Sequence, residues 1–452
     1  MKTALIFAHQ CAPYHARQST IGAQRPAQFA KYLPRFGWRA IVLCCDGGVA
    51  AEGWEADVEQ RVTTALDGAD ESSSVIIPTP RLEDAGVLDR LWQKSSSAHA
   101  GRGRTVVRKA LTAARQLSTG DTSLAWLECA KTAARLVRRR ERVDVCIGEH
   151  SPDAGVIAAR WFADEYGTPW IADFRDPWLQ PFPPTLRRLF QPRARSVLSS
   201  AAFVVNVNRR WSEMDARSFG RPTATIPNGY DPEDFSGEPA IAPDEFRVAY
   251  AGNLWREMSP KTFFEGVRQL RDRVSSALFR HFRVVYRGSA APIMVEAARS
   301  TAVEDCLDAA GQVPREESLA LLRSANVLLL LSIDTSRTTD PYLAGGLQPG
   351  KVFEYLGARR PILCVPGDKG LLDELIHETR TGTVAPTPEM VAAFLATGLE
   401  QWSRGIPVEF APNTELVASY ARPMLTERLA GLLDDALRSA LPASRQRQAT
   451  PA

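Results

Sequence analysis

Cysteine is scarce in this chain and follows no pattern. The seven residues Cys11, Cys44, Cys45, Cys129, Cys146, Cys306 and Cys364 show no C-x-x-C spacing, and their number is odd. That argues against a disulfide scaffold and for a reduced, cytosolic setting. Most stand in or beside apolar runs, where Cys acts as a small hydrophobe. Long hydrophobic runs are also missing. Val327 to Leu331 reads VLLLL, far short of the roughly 20 residues a membrane span needs. The opening MKTALIFAHQ holds only a short apolar stretch before His9, so it reads as a first strand and not as a signal-peptide core. Any membrane contact is therefore expected to be peripheral. Neither G-x-G-x-x-G nor G-x-x-x-x-G-K-[ST] occurs, so a Rossmann dinucleotide site and a P-loop are both unsupported. The net charge of +3 is too small to imply nucleic acid.

What is present points to an α/β protein. A chain of 452 residues exceeds what one hydrophobic core usually organises, so two domains are expected. The runs TALIFA, RAIVLCC, SVIIP, VDVCIG, PWIADF and FVVNVN are continuous rather than alternating, the mark of strands buried on both faces. Helical spacing lies between them, as in RPAQFAKYLPRFG and PDAGVIAARWFADEYG, each closed by Gly. The stretch IPNGYDPEDFSGEPAIAPDEF interrupts the pattern with Pro, Gly and Asp and reads as a linker. Strands then restart with FRVAYAG, FRVVYRG, CLDAAG, ANVLLLLSI, RRPILCV and TGTVA. Two doubly wound, Rossmann-like domains facing a cleft follow. Domain one covers 1–240, with 81–120 a loosely ordered basic segment, and domain two covers 241–413. Terminal helices are expected over 414–441 and a disordered tail over 442–452.

In such folds ligands bind beyond the carboxyl ends of the strands. Near the first strand, Gly22 reads as a loop residue ahead of a helix containing Arg25, either a turn glycine or part of a phosphate-binding helix start. VCIGEHSPDAG places Glu149, His150 and Ser151 just past a strand, and WIADFRDPW places Asp173, Arg175 and Asp176 after the next. Such charges are costly to bury unless paired, so a structural Arg–Asp pair and cleft chemistry both fit. In the second half, YAGNLWREMSPK offers Gly252, Asn253, Arg256 and Lys261, cations suited to a diphosphate. VVYRGS adds Arg287, and Val313 in GQVPREES is placed to lie against a base. GGLQPGKVFEYLG brings Gly345, Gly346, Leu347, Gly350 and Lys351 to a helix start, with Glu354 one turn in. Free amides and a Lys for a β-phosphate, with a carboxylate for ribose hydroxyls, are what a sugar nucleotide requires. Between Arg81 and Arg142 there are 14 Lys and Arg against 6 Asp and Glu, either a solvated face or a patch for anionic lipid or a phosphorylated substrate.

The ordered set R-x-x-x-F-x-K-Y-L (Arg25 to Leu33), PWIADFRDPW, IPNGYDPEDF, YAGNL and PGKVFEYLGARRPIL resembles bacterial family 4 glycosyltransferases of the GT-B fold. The resemblance spans about Lys2 to Leu441. It implies an acceptor side in the first domain, a sugar-nucleotide side in the second, retention of anomeric configuration and no obligatory metal or other cofactor. The absence of a D-x-D after a strand agrees. Glu354 matches the second Glu of the family's E-x7-E pattern and would hold the ribose. The first falls at Gly346, where backbone amides of Gly345 to Leu347 would replace the carboxylate. The family's Gly-Arg after the first strand of this domain is here Gly252-Asn253, so Arg256 or Lys261 would face the diphosphate. His150 falls near a family histidine that contacts the sugar. The expected catalytic set is thus His150, Lys351 and Arg256, with Gly22, Arg25, Asp173, Arg175 and Asp176 toward the acceptor.

The expected function is transfer of a sugar to a hydroxyl acceptor in cell-surface polysaccharide, glycolipid or glycosylated-metabolite biosynthesis. A sugar-nucleotide 2-epimerase and a degenerate donor-binding scaffold are the alternatives. Basic stretches at Arg81–Arg142 and Arg187–Arg195 point to an anionic or lipid-linked acceptor and to a cytoplasmic protein with peripheral contact to anionic membrane. Nucleic acid is not an expected partner.

Overall fold

Aliphatic and β-branched runs become buried parallel strands, and the amphipathic segments between them cross over as helices. The computed structural model describes residues 1–14, 21–82, 122–180, 186–237, 244–255 and 257–440. The loose basic segment expected at 81–120 lies, from residue 83 on, outside the described residues, as does the tail 442–452. The chain splits into Met1–Pro227 with Leu425–Ala452, and Asn228–Met424.

In the N-terminal unit the strands are β1 (Lys2–Phe7), β2 (Trp38–Val49), β3 (Val75–Arg81), β4 (Val145–His150), β5 (Trp170–Phe174), β6 (Phe203–Asn206) and β7 (Thr223–Thr225). They form one parallel sheet in the order 3-2-1-4-5-6-7. The described helices are α1 (Ile21–Tyr32), α2 (Trp54–Asp67), α3 (Leu127–Arg140), α4 (Asp153–Tyr166), α5 (Arg187–Leu198) and α6 (Arg209–Phe219). Strand order reverses between β1 and β4, and that switch point is where a crevice opens in this architecture. Close packing holds it shut below. A Cβ on Gly155, in the first turn of α4, would stand 2.4 Å from the Glu149 carbonyl oxygen and 2.6 Å from that of Phe7. Only glycine lets the helix seat there.

The second unit repeats the plan with β8 (Phe246–Ala251), β9 (Phe282–Arg287), β10 (Leu307–Ala310), β11 (Val327–Leu331), β12 (Ile362–Val365) and β13 (Gly382–Val384). Their order is 10-9-8-11-12-13, all parallel, with the switch between β8 and β11. Its helices are α7 (Lys261–Arg273), α8 (Ser276–Phe279), α9 (Ala291–Ser300), α10 (Arg315–Ser324), α11 (Gly350–Ala358), α12 (Leu371–Thr379), α13 (Pro388–Ser403) and α14 (Thr414–Ala418). One face is filled by Phe246, Phe263, Phe264, Phe282 and Leu395, the other by Leu328, Leu330, Val352, Leu356 and Ile376.

The boundary corrects the expectation. It falls at Pro227/Asn228 and not at 240/241, because Tyr230 pairs with Ala421 in a parallel bridge and packs with Val352 and Leu356. The terminal helices also divide. α14 stays with the second unit. The last helix, α15 (Arg422–Ala440), returns to the first, where Leu425, Leu429 and Leu433 pack with Phe29, Trp38 and Val42. Among the described residues no helix is long and apolar enough to cross a membrane.

Candidate functional site

Lys351 organises the carboxyl ends of the second sheet. β8 ends at Ala251, and Gly252 follows in the left-handed region at φ 122°. The turn carries Asn253 back so that its carbonyl accepts from Lys351 Nζ at 3.0 Å. The same ammonium lies 4.0 Å over the centre of the Tyr250 ring and donates to the Tyr250 hydroxyl. Among the described residues no carboxylate forms an ion pair with it. Burial of the ammonium pulls its pKa down to about 7, opposed only by the field of Glu354. Lys351 is the second residue of α11, which has Pro349 at its cap position and no acid in its first turn. The first N–H groups of a helix have no partner inside it. An unmatched cation and free helix-start amides thus occur together.

The neighbouring residues sort into those gathered there and those held elsewhere. Asn253 Oδ1 accepts from Ser289 Oγ at 2.7 Å and Gln312 Nε2 at 3.1 Å, tying the loops after β8, β9 and β10 together. Glu354 accepts from Arg315 Nη1 at 2.5 Å, while Nη2 of the same guanidinium reaches Asp234 at 2.6 Å. Arg287 corrects the expectation of a donor contact, because its guanidinium forks onto Asp308 at 2.7 and 3.1 Å. With Val313 it lines a groove of about 690 Å³ beside α10. Lys261 is another correction. As the first residue of α7 it is 71 % exposed and pairs with Glu265 at 3.7 Å, a solvated helix-start cation. Arg256 lies outside the described residues.

Two of the three amides expected ahead of α11 are engaged inside the protein. Gly346 N–H donates to the Leu343 carbonyl and Leu347 N–H to Asp368 Oδ2 at 3.0 Å. Gly345 and Gly346 both have positive φ, 88° and 98°. A Cβ on Gly346 would stand 2.0 Å from Asp368 Oδ2. Asp368 therefore fills the space a side chain at 346 would need. The signal for it was present in PGDKG, an acid just ahead of a helix start.

In the N-terminal unit the acceptor-side residues are brought together, but largely to satisfy one another. Arg25 and Asp173 are 0 % and 2 % exposed and form a two-point pair, both bonds 2.8 Å, and Arg25 Nη1 also donates to the Pro227 carbonyl. This is an internal strut. Gly22 lies in the first turn of α1 and not in a loop, and a Cβ there would meet Arg175 Nη1 at 1.7 Å. Its role is clearance for that guanidinium. Arg175 donates to the Ser151 carbonyl and stands 3.7 Å from Asp176 and 3.8 Å from Glu149. His150 is buried with both ring nitrogens engaged, Nδ1 with the Asp176 carbonyl at 2.7 Å and Nε2 with Asp153 Oδ1 at 3.0 Å. Burial alone would lower its pKa, but the bond and charge of Asp153 together with those of Asp176 outweigh it and raise the value. No ring nitrogen is left for a substrate in this arrangement, so the geometry makes His150 a positioning residue and not a catalytic one. Glu149, passed over by the sequence reading as a site residue, is 2 % exposed with neither oxygen hydrogen-bonded. Burial pushes it up to about 8, so it is neutral at pH 7. Among the described residues no group of three or more His, Cys, Asp and Glu could hold a metal ion.

Residues 22–229 match the family described as "Glycosyl transferase 4-like domain". The match covers a little under half of the chain and lies almost wholly in the N-terminal unit. Solved structures extend the likeness over both units. Sucrose-phosphate synthase from Thermosynechococcus elongatus is 11 % identical, with 97 % of this chain and 100 % of that one covered at a TM-score of 0.55. Anabaena Alr3699/HepE in complex with UDP and glucose is 13 % identical, with 96 % and 100 % covered at 0.55. A putative UDP-N-acetylglucosamine 2-epimerase from Listeria monocytogenes is 10 % identical, with 97 % and 98 % covered at 0.52. No curated protein matches the chain. At these identities the structures show the fold, which is GT-B.

Two outcomes follow. Arg25→Met leaves Asp173 buried without a counter-charge and should destabilise the N-terminal unit by about 3–5 kcal/mol. The drop is read as a lower urea midpoint, and Arg25→Met/Asp173→Leu should recover most of it. In the second unit, an anion seated at Lys351 should draw a proton onto its amine. The free protein carries that Lys largely neutral above pH 7, so binding of a nucleoside diphosphate there takes up a proton. Its Kd should rise about tenfold per pH unit above 7 until the complex itself loses the proton. Calorimetry in buffers of different ionisation enthalpy measures the uptake, and Lys351→Met should abolish it.

Proposed function

We propose that this chain is a glycosyltransferase that takes a sugar from a nucleoside-diphosphate donor and passes it, with retention, to a hydroxyl acceptor. The observation that supports this reading most is the Lys351 ammonium, half-buried against Tyr250 with no carboxylate partner and set in the first turn of a helix. A protein holds an unmatched cation there at a cost that a bound anion would offset. The diphosphate of a sugar nucleotide supplies that anion. Glu354, one turn further and steadied by Arg315, keeps a second oxygen for the ribose hydroxyls. The Anabaena protein carries UDP and glucose on the same fold, which makes UDP the first nucleotide to test.

In the reaction the bond from the anomeric carbon to the phosphate oxygen breaks and one from that carbon to the acceptor oxygen forms on the same face. The acceptor's proton passes to the departing phosphate. Negative charge grows on the leaving diphosphate as the bond lengthens, so Lys351 and the first amides of α11 lower the barrier more than they tighten the ground state. No covalent nucleophile is required of the protein. His150 keeps the Asp176 loop in place, and no step is assigned to it. The acceptor in this reading is anionic or lipid-linked. α5 carries no acid, and three of its four arginines, Arg188, Arg193 and Arg195, are exposed while Arg187 is buried; Leu189 stands 69 % exposed among them. A basic face with a projecting leucine suits an anionic lipid surface.

Steady-state turnover of a donor panel tests the reaction. Lys351→Met should lower kcat by about 10²–10³-fold, the usual loss when one charge-stabilising donor is removed. Glu354→Ala should instead raise the donor KM, by about tenfold for a charge-assisted hydrogen bond. Variants that turn over like wild type refute the assignment, and accumulation of free epimerised donor would favour the epimerase reading. The lipid contact is checked by sedimentation with phosphatidylglycerol vesicles. Binding should be strong at low salt, weaken as salt screens it, and fall with Arg188→Glu/Arg193→Glu; no binding at low salt would dismiss it.

A further inference from the structure

Beside Lys351 lies a small pocket whose walls say something about the sugar. It is lined by Trp255 and Met258 from the segment after β8, Leu347 and Pro349 from the segment before α11, and Ser332, Ile333, Thr335, Asp368 and Leu372. Lys351 links the first two of these segments, through the carbonyl of Asn253 and through its own place in α11. Two walls of the pocket therefore come from the segments that Lys351 ties together. Its volume is about 10 Å³, room for one methyl group or one water. Trp255 is 46 % exposed, whereas Met258, Leu347 and Leu372 are buried.

The polar groups on the wall face the protein. Asp368 Oδ1 accepts from Gly370 N and Asp373 N, and Oδ2 accepts from Leu347 N and Leu372 N, all between 2.8 and 3.2 Å. Four donors fill a carboxylate's four acceptor positions. Thr335 Oγ1 donates to the Asp368 carbonyl at 2.6 Å, and Ser332 Oγ accepts from Gly367 N at 2.9 Å. What remains for an occupant is the Trp255 ring and the side chains of Met258, Ile333, Leu347, Pro349 and Leu372. A hydroxyl placed there would lose its water and find little to replace it.

We propose that the donor sugar carries a methyl group, as a 6-deoxyhexose or an N-acetylated sugar does, and that this pocket receives it. The inference rests on the donor-site reading above and adds the class of sugar to it. It also gives a use to the loss of a carboxylate at 346. With Gly346 in the left-handed region and Asp368 drawn into the space above it, the turn presents no free acid to a sugar hydroxyl, and the adjoining wall is apolar.

The test uses the full chain and matched donors: UDP-glucose against UDP-6-deoxyglucose and UDP-N-acetylglucosamine, and GDP-mannose against GDP-6-deoxymannose. Affinity is measured by competition with the corresponding nucleoside diphosphate. One methyl in an apolar pocket is worth about tenfold or more. A methyl-bearing donor should therefore bind at least tenfold tighter than its parent, and the two UDP arms tell which kind of methyl is meant. Met258→Gln should reduce that preference to less than twofold. Equal or tighter binding of the parent hexoses overturns the inference, as does a preference that survives Met258→Gln in a folded variant. Should neither UDP nor GDP bind, the donor-site reading itself is wrong. A diphosphate that binds without methyl discrimination refutes only the proposal made here.

Discussion

A single ammonium group without a counter-charge shapes the second unit. Lys351 Nζ joins the turn after β8 to the start of α11 through one carbonyl, one hydroxyl and one aromatic face. These contacts hold a cation but do not neutralise it. Electrostatic attraction to a ring is weak beside a full ion pair, so desolvation dominates and the pKa falls to about 7. The consequence is a site that is half-discharged near neutrality when empty and fully charged once an anion arrives. Binding and protonation are then one equilibrium.

The turn ahead of α11 obeys a different constraint, the need to satisfy every buried polar group. Asp368 gathers the amides at the start of α12 and the amide of Leu347 onto one carboxylate. That fixes the approach to α11, but it removes two groups, an acid and an amide, that could have met a substrate. A family pattern with a carboxylate at position 346 cannot coexist with Asp368 in this place, since their atoms would overlap. Asp368, 22 positions further along the chain, thus occupies the space that a side chain at 346 would need.

The fold was legible because it rests on periodicity. Continuous apolar runs marked twelve of the thirteen strands with type and order intact; the ends of β2 ran beyond its run, and the short β7 at Thr223–Thr225 was not marked by any such run. Lys351 and Glu354 were legible because a strand end, glycines and a helix start coincide in one motif. Partners were not legible. Nothing in the local sequence says that Arg287 meets Asp308, that Arg25 meets Asp173, or that Arg315 steadies Glu354. Each pair joins residues distant in the chain, and a charge after a strand reads the same whether it faces a ligand or a neighbour. The boundary near 240 failed for a related reason. Proline and glycine mark where a chain turns, while a unit's limit is set by where Tyr230 and the last helix pack.

The two units share one architecture, yet they treat charge in opposite ways, and the contrast bears on function. In the first, Arg25, Asp173, His150 and Asp153 pair off in the interior, and burial keeps Glu149 and Asp215 from ionising fully at pH 7, with pKa values near 8 and 7. Its strand-end charges are therefore mostly paired or suppressed in the interior, where Arg25, Asp173 and His150 are all buried. In the second, the strand ends hold a cation with nothing to balance it. An acceptor hydroxyl is neutral until it reacts and a donor diphosphate is charged throughout, so each electrostatic environment suits one of the two reactants. That division follows from which side chains found partners during folding, and not from the backbone plan the two halves have in common.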